Sequence, residues 1–342
     1  VPEDARAAGQ SGGARATPPA DYYPLNTASR RSTKLIMPSA AASLVALYLA
    51  AVCTAAGQHV EDLAVLGSDV AHSDPSWAQS LLATLAHDSA IVVAIALPLL
   101  LGWCRKRLAE GAVLAAAVLA ANITTQALKH LVFLRPELGV STDLGTTNSL
   151  PSGTTTLLLS AALATVALLP DPLRRSPLSV ALPMLAVVGG CTTIALDWHR
   201  PADVIAAVII VAAWFALAAS VIGTLTKARQ CVGDAPSPIT NPGGHAPASD
   251  APAGTRPLPG RILAAGGLCV LAVALLASLP WMTLTVDAHG PVAYVLAMGI
   301  VLAGSLMVVT ALTRTILEQC GKSSAGVQAA PDGEGRGRGI AS

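Results

Sequence analysis

Long apolar stretches separated by short polar segments dominate the chain. Eight stretches of about 20 mostly uncharged residues, the length of helix that crosses a bilayer, occupy residues 36–56, 83–103, 111–131, 153–170, 178–196, 202–224, 261–282 and 291–312. Pro98 and Pro183 lie inside two of these stretches, which membrane helices tolerate better than soluble helices do. The pattern predicts an all-α membrane protein with eight spans.

The composition excludes several classes of protein. Hydrophobic residues make up 53% of the 342 residues and charged residues 12%, which excludes a soluble globular domain. Aromatic residues make up 3%, so there is no evident stacking platform for bases and we expect no nucleic-acid partner. The six cysteines show neither a disulfide framework nor metal-ligand spacing, and we predict no metal and no cofactor.

Basic residues in the short loops predict the orientation, because Lys and Arg are retained on the cytoplasmic side of a membrane. They alternate consistently along the chain, at Arg30, Arg31, Lys34, Arg105, Lys106, Arg107, Arg174, Arg175, Lys227, Arg229, Arg261, Arg314 and Lys322. Residues 57–82 contain Glu61, Asp62, Asp69 and Asp74 but no Lys or Arg, as expected of an outer loop. We therefore predict a multi-pass protein of the plasma membrane with both termini in the cytoplasm.

Changes in composition divide the chain into five segments. Residues 227–260 are rich in Pro, Gly, Ala and Ser, which predicts a disordered cytoplasmic linker. We likewise expect a disordered N-terminus over 1–33 and a disordered tail over 314–342. The linker then separates a six-span core at 34–226 from a two-span C-terminal appendage at 261–313. The last two spans are candidates for a homodimer interface, a route for lipid entry or an anchor for the tail.

Three polar clusters interrupt the apolar pattern of the six-span core. The first contains Lys129 and Arg135, which are suited to holding phosphate oxygens. The second, at residues 148–154, has the character of a helix start, with Asn148 or Ser149 as the expected cap. A helix start attracts anions through its unpaired N–H groups, and Gly153 beside Ser152 lets a phosphate approach the backbone.

The third cluster supplies a nucleophile. His199 and Asp203 are four residues apart, so a helix places both on one face. An Asp that accepts a proton from one imidazole nitrogen leaves the other nitrogen able to attack phosphorus. The predicted topology puts all three clusters at the outer ends of their helices, where they would form one phosphate site that faces outside.

In order and content, the three clusters resemble the signature motifs of the type 2 phosphatidic acid phosphatase and vanadium haloperoxidase superfamily, in its integral-membrane lipid phosphatase branch. The resemblance covers about residues 36–226 and implies a six-helix core. It also implies that His199 forms a phosphohistidine and that Asp203 orients it, while Lys129, Arg135, Ser152 and Gly153 bind phosphate.

The chain departs from the family pattern at two positions and in one spacing. Thr154 stands where the family has a His that protonates the leaving group, and Thr193 stands where it has a phosphate-binding Arg. The first motif is also one residue shorter than the commonest pattern. Candidates for compensation are Arg200 for the missing positive charge and His130 for the missing proton donor. Thr154 itself offers a hydroxyl in that position.

Two functions follow from this pattern, with a third behind them. The first is a metal-independent hydrolase of a lipid phosphate or of a prenyl pyrophosphate such as undecaprenyl pyrophosphate, acting on the extracytoplasmic face. The second is a catalytically impaired relative that binds a phosphorylated lipid or partner proteins. A transporter is disfavoured, because transporters bind substrate near the middle of the bilayer, whereas the ionisable residues here gather at the outer rim.

Overall fold

A computed structural model describes residues 27–69, 76–85, 88–140, 148–233 and 286–328. These residues form helices and no strand. In chain order the helices are α1 (Thr27–Ala51), α2 (Ala55–Asp69), α3 (Ser76–Leu85), α4 (Asp88–Cys104), α5 (Leu108–Ala127), α6 (Gly153–Leu168), α7 (Asp171–Arg174), α8 (Leu178–Ala195), α9 (Pro201–Gly233) and α10 (Val286–Gln328). A single π-helical turn, Leu128–Val132, continues α5. The predicted all-α fold is confirmed.

Seven of the predicted spans correspond to helices. Five of these helices are long and apolar enough to cross a membrane, at Lys34–Ala51, Leu108–Val132, Leu178–Ala195, Pro201–Arg229 and His289–Cys320. Two shorter apolar helices lie at Ser89–Cys104 and Gly153–Leu168. The predicted span 261–282 lies outside the described residues. The protein is therefore a multi-pass membrane protein.

Helix α9 lies at the centre of the bundle and packs against α1, α5, α6 and α10. Its N-terminal half is almost entirely buried, including Phe215 at 0% exposure. Alanines are frequent along this helix, and small side chains let membrane helices approach one another closely. Large apolar side chains elsewhere, such as Leu131 and Leu185, are exposed on the outside of the bundle, where lipid would cover them.

The predicted outer loop 57–82 is not an irregular loop, because it contains α2 and α3. Leu63, Ala64 and Val65 of α2 are buried in the bundle. At Gly67 an added Cβ would lie 2.0 Å from the Gly290 carbonyl oxygen, so α2 and α10 touch backbone to backbone. The appendage of the predicted division therefore packs against the core through α10.

Three helices extend into segments predicted to be disordered. Helix α1 starts at Thr27, α9 continues to Gly233, and α10 continues to Gln328. In α10 the extension has a packing reason, because Ile316 and Cys320 are buried and form a helical apolar stripe one turn apart. The remaining parts of those three segments lie outside the described residues.

Candidate phosphate site at one end of the bundle

The first polar cluster follows the end of α5. Lys129 lies half-buried in the π-helical turn, and the chain then leaves the helix at Phe133. The Phe133 ring stacks on Tyr48 of α1 with a centroid distance of 4.6 Å, and the Tyr48 hydroxyl donates to the Leu134 carbonyl at 2.6 Å. These contacts fix the direction of the segment that carries Arg135.

The second cluster begins α6, but its cap differs from the prediction. Ser152 is the N-cap, and its hydroxyl accepts a hydrogen bond from the Thr155 N–H at 3.3 Å. Asn148, one of the two predicted caps, instead donates to the carbonyls of Lys129 and Phe133, at 3.0 and 2.8 Å. The Asn148 side chain thus joins the end of α5 to the start of α6, which brings the first two clusters together.

The third cluster contains the predicted His–Asp pair in hydrogen-bonding geometry. His199 Nδ1 and Asp203 Oδ2 are 3.1 Å apart, and both residues are buried. Asp203 Oδ2 also accepts the backbone N–H of Arg200 at 2.9 Å, an arrangement that caps the start of α9. The Asp203 carbonyl accepts the Ser152 N–H at 3.0 Å, so the His199–Asp203 pair is fixed directly to the start of α6.

Two acidic residues that were not predicted to belong to the site complete it. Asp62 Oδ1 accepts hydrogen bonds from Arg200 Nε at 2.8 Å and from Arg135 Nη2 at 3.3 Å. The carboxylate of Glu61 accepts the Ala202 N–H, with its two oxygens at 3.2 and 3.1 Å. Glu61 and Asp62 are 5% and 1% exposed. Helix α2 thus brings an acidic pair to the start of α9.

Burial shifts the pKa of two of these groups, Glu61 and Arg135. Burial and, second to it, the negative charge of Asp203 raise the pKa of Glu61 to about 8, although the Ala202 N–H and the two arginines oppose the shift. Burial also lowers the pKa of Arg135, and the positive charge of Arg200 adds to this effect. Among the charges that oppose the shift at Arg135, Asp62 is the strongest, so Asp62 balances the positive charges of the two arginines.

The structure places Arg200, but not His130, among the residues of the site. Arg200 shares Asp62 with Arg135, and Arg200 Nη1 lies 3.4 Å from the Ser149 hydroxyl, so this arginine belongs to the cluster. His130 is exposed in the π-helical turn, and the described contacts do not join it to the other residues.

The positions of the two threonines explain what each can contribute. Thr193 is 0% exposed, and its hydroxyl donates to the Gly190 carbonyl of its own helix at 2.6 Å. Thr154 is buried at the start of α6, beside the half-buried Gly153. Neither threonine titrates in the physiological range, so neither replaces the charge or the proton of the residue that the family pattern has there.

The arrangement can hold an anion. Cationic side chains, the first turn of α6 and a buried imidazole meet at one end of the bundle. Among the residues that the structure describes, no group of three or more His, Cys, Asp or Glu side chains could hold a metal ion.

Comparison with known proteins identifies this part of the chain. The family model of the PAP2 superfamily matches residues 110–227, a range that contains all three clusters but neither α2 nor α10. No curated protein and no solved structure matches the chain. Residues 110–227 therefore form a domain of the PAP2 superfamily, the type 2 phosphatidic acid phosphatase superfamily.

Proposed function

We propose that the protein is an integral-membrane lipid phosphatase that hydrolyses a lipid phosphate or a prenyl pyrophosphate through a phosphohistidine at His199. Members of the PAP2 superfamily are typically phosphatases. The observation that carries the proposal is the buried His199–Asp203 pair at 3.1 Å, which the Ser152–Asp203 hydrogen bond attaches to the start of α6.

The reaction has two displacement steps. The Nδ1–H of His199 donates to Asp203, which leaves the lone pair on Nε2 to attack phosphorus. A bond forms between Nε2 and phosphorus while the bond from phosphorus to the leaving oxygen breaks, and its electron pair departs with that oxygen. Water then attacks phosphorus, a P–O bond forms while the P–Nε2 bond breaks, and the electron pair of that bond returns to Nε2 of His199. The protons of the water stay on the inorganic phosphate that is released. Asp203 stays ionised and orients the ring throughout.

The phosphoryl oxygens need positive partners, because negative charge spreads over them in the transition state. The first turn of α6 offers N–H groups and the positive end of the helix dipole. Lys129 and Arg135 add cationic donors, and we assign Arg200 the task of the arginine missing at Thr193. Arg135 has five N–H donors, of which the described hydrogen bonds use one.

The missing proton donor constrains the substrate. A general acid is typically worth about 10² to 10⁴ in rate, and Thr154 cannot act as one. A pyrophosphate leaving group is a weaker base than an alkoxide and departs with less help. The substrate favoured by this site is therefore a lipid pyrophosphate, ahead of a phosphate monoester of a lipid alcohol.

The proposed location is the extracytoplasmic face of the plasma membrane. The three clusters lie at the C-terminal end of α5 and the N-terminal ends of α6 and α9. Arg105, Lys106 and Arg107 precede α5, and Arg174 and Arg175 follow α6, so these basic residues lie at the opposite ends of the same helices. The positive-inside rule assigns that opposite end to the cytoplasm.

A second function, binding of a phosphorylated lipid or a partner protein without turnover, is favoured by Asp62. This carboxylate engages both Arg135 and Arg200, so the site is less positive than the family motifs alone imply. An incoming phosphate must share the two arginines with Asp62 or displace it. Together with Thr154, this is the chemistry expected of a site that holds phosphate more readily than it cleaves it.

The test is release of inorganic phosphate by the purified protein from a panel of lipid phosphates and lipid pyrophosphates, with and without chelator. The proposal expects release that is fastest from pyrophosphates, unaffected by chelator and abolished by His199→Ala. If no substrate releases phosphate while lipid phosphates still bind, the second function replaces the first. Release that persists in His199→Ala contradicts the proposed nucleophile.

A further inference from the structure

Two buried arginines lie at the end of the bundle opposite His199. Arg107 directly precedes α5, and Arg174 ends the short helix α7. The span Leu108–Val132 has 25 residues, so at 1.5 Å per residue it is roughly 37 Å long and separates Arg107 from the candidate phosphate site at its other end. Arg107 and Arg174 are only 8% and 5% exposed, although each carries a full positive charge.

Their described contacts leave hydrogen-bond donors unused. Arg107 Nη2 donates to the Glu110 carboxylate and to the Cys320 carbonyl of α10, the latter at 3.1 Å. Arg174 Nη2 donates to the Asp171 carboxylate. Within the described part of the chain, Arg107 Nε and Nη1 and Arg174 Nη1 are buried without a hydrogen-bond partner. Buried N–H groups in proteins are nearly always paired, so three unpaired donors on two arginines indicate a missing acceptor.

The electrostatic balance also indicates a missing anion. Burial lowers the pKa of Arg174, and the nearby positive charges of Arg107 and Arg105 lower it further, while Cys320 and Glu110 oppose the shift only in part. Asp171 compensates Arg174 only weakly, because its side chain is 49% exposed and water screens it. Lys106 and Arg175, next to the two arginines in the chain, are exposed, so the region is positive at its surface as well as inside.

We propose that Arg107 and Arg174 bind a phosphate group, supplied by the headgroup of an anionic phospholipid or by free inorganic phosphate. Guanidinium groups hold phosphate oxygens with paired N–H donors, which matches the unused nitrogens. Basic pockets between membrane helices at the cytoplasmic end are suited to anionic headgroups, and the loop charges predict that this end is cytoplasmic. The half-exposed Asp171 marks the side from which the phosphate enters, and it competes for Arg174.

A neighbouring cleft supplies room for the rest of a lipid. It lies on the turn between α4 and α5 and is lined by Trp103, Cys104, Lys106 and Leu108. Trp103 is 69% exposed, and tryptophan favours the headgroup level of a membrane. The site also connects α10 to α5 through the Cys320 carbonyl, so an occupied site would hold the C-terminal helix against the core.

The experiment measures binding of the purified full-length protein to vesicles of phosphatidylglycerol, vesicles of phosphatidylcholine, and inorganic phosphate. The wild type should bind phosphatidylglycerol more tightly than phosphatidylcholine. Arg174→Gln should weaken that binding about tenfold, through loss of a charged donor pair. The control Arg175→Gln removes an exposed neighbouring charge and should change binding less than about twofold, as a single surface charge does.

Asp171→Asn tests the same site, and its expected effect on phosphate binding is the opposite of that of Arg174→Gln. It also keeps the test usable if Arg174→Gln fails to fold. Removing the competing carboxylate should strengthen phosphate binding severalfold. Binding of phosphatidylglycerol but not of inorganic phosphate identifies the lipid headgroup as the source; inorganic phosphate binding that Arg174→Gln abolishes identifies free phosphate. The proposal is overturned if Arg174→Gln and Arg175→Gln bind alike, or if Asp171→Asn leaves binding unchanged. None of these readouts depends on turnover at His199.

Discussion

Asp62→Asn removes the carboxylate that Arg135 and Arg200 share while it keeps the size of the side chain. The two guanidinium side chains are 6% and 8% exposed, so water cannot replace the lost charge. Breaking a buried ion pair by removing one partner costs about 3–5 kcal/mol. The Asn oxygen still accepts one hydrogen bond, and the Arg135 contact is already long at 3.3 Å. We therefore expect Asp62→Asn to lower the free energy of unfolding by about 3 kcal/mol, which is roughly a hundredfold in the folding equilibrium.

The same substitution should change the response to phosphate. If phosphate binds as proposed, it shares the two arginines with Asp62 in the wild type and becomes their main anionic partner in Asp62→Asn. Anything that binds only the folded state stabilises it by mass action, so phosphate should stabilise Asp62→Asn more than it stabilises the wild type.

The assay is equilibrium unfolding of the purified protein in mild detergent, with and without inorganic phosphate. Glu137→Gln serves as the matched control, because Glu137 is an exposed acidic residue two positions from Arg135. Equal stability of Asp62→Asn and Glu137→Gln, with equal responses to phosphate, would refute the idea that Asp62 compensates the two arginines.

Three further predictions concern catalysis and pH. Thr154→His should raise the rate of phosphate release from lipid phosphate monoesters by about 10² or more, with little gain on pyrophosphates. The reason is that only the alkoxide leaving group of a monoester needs a general acid. Equal gains on both substrates would argue against this. Arg200→Gln should lower kcat by about 10² to 10³, as loss of a transition-state donor does, whereas Arg314→Gln, which changes an exposed arginine of α10, should not. Burial raises the pKa of Glu61 from 4.5 to about 8. Between these pH values the folded state keeps a proton that the unfolded state has lost. The free energy of unfolding should therefore fall as pH rises through this window and level off above it. Glu61→Gln should flatten that part of the stability profile, and an unchanged slope would contradict the raised pKa.

The apolar pattern predicted the membrane helices well, because length and composition alone decide whether a segment can cross a bilayer. The i,i+4 spacing of His199 and Asp203 predicted their contact for a similarly local reason, and the structure places the two side chains 3.1 Å apart. The cap of α6 was harder to predict. Asn148, Ser149 and Ser152 all have capping side chains, and only the position of the α5 end shows that Asn148 is used elsewhere.

The acidic pair of α2 could not be predicted from its local sequence. Glu61 and Asp62 lie in a segment without basic residues, which favours a solvated outer loop. The partners of Asp62 are 73 and 138 residues away in the chain, so its burial depends entirely on the tertiary fold. One signal was available: both acids are followed directly by the apolar run Leu63, Ala64 and Val65, which is unusual for a solvated loop.

If His199 is the phosphoryl acceptor, a phosphohistidine intermediate can be trapped during turnover. A radiolabelled lipid pyrophosphate is mixed with the protein, the reaction is stopped at alkaline pH, at which phosphohistidine survives, and the labelled peptide is sequenced by mass spectrometry. We expect label on His199 that is lost in acid and absent from His199→Gln. Phosphate release from the wild type with no label on His199, or with label on another residue, would contradict it.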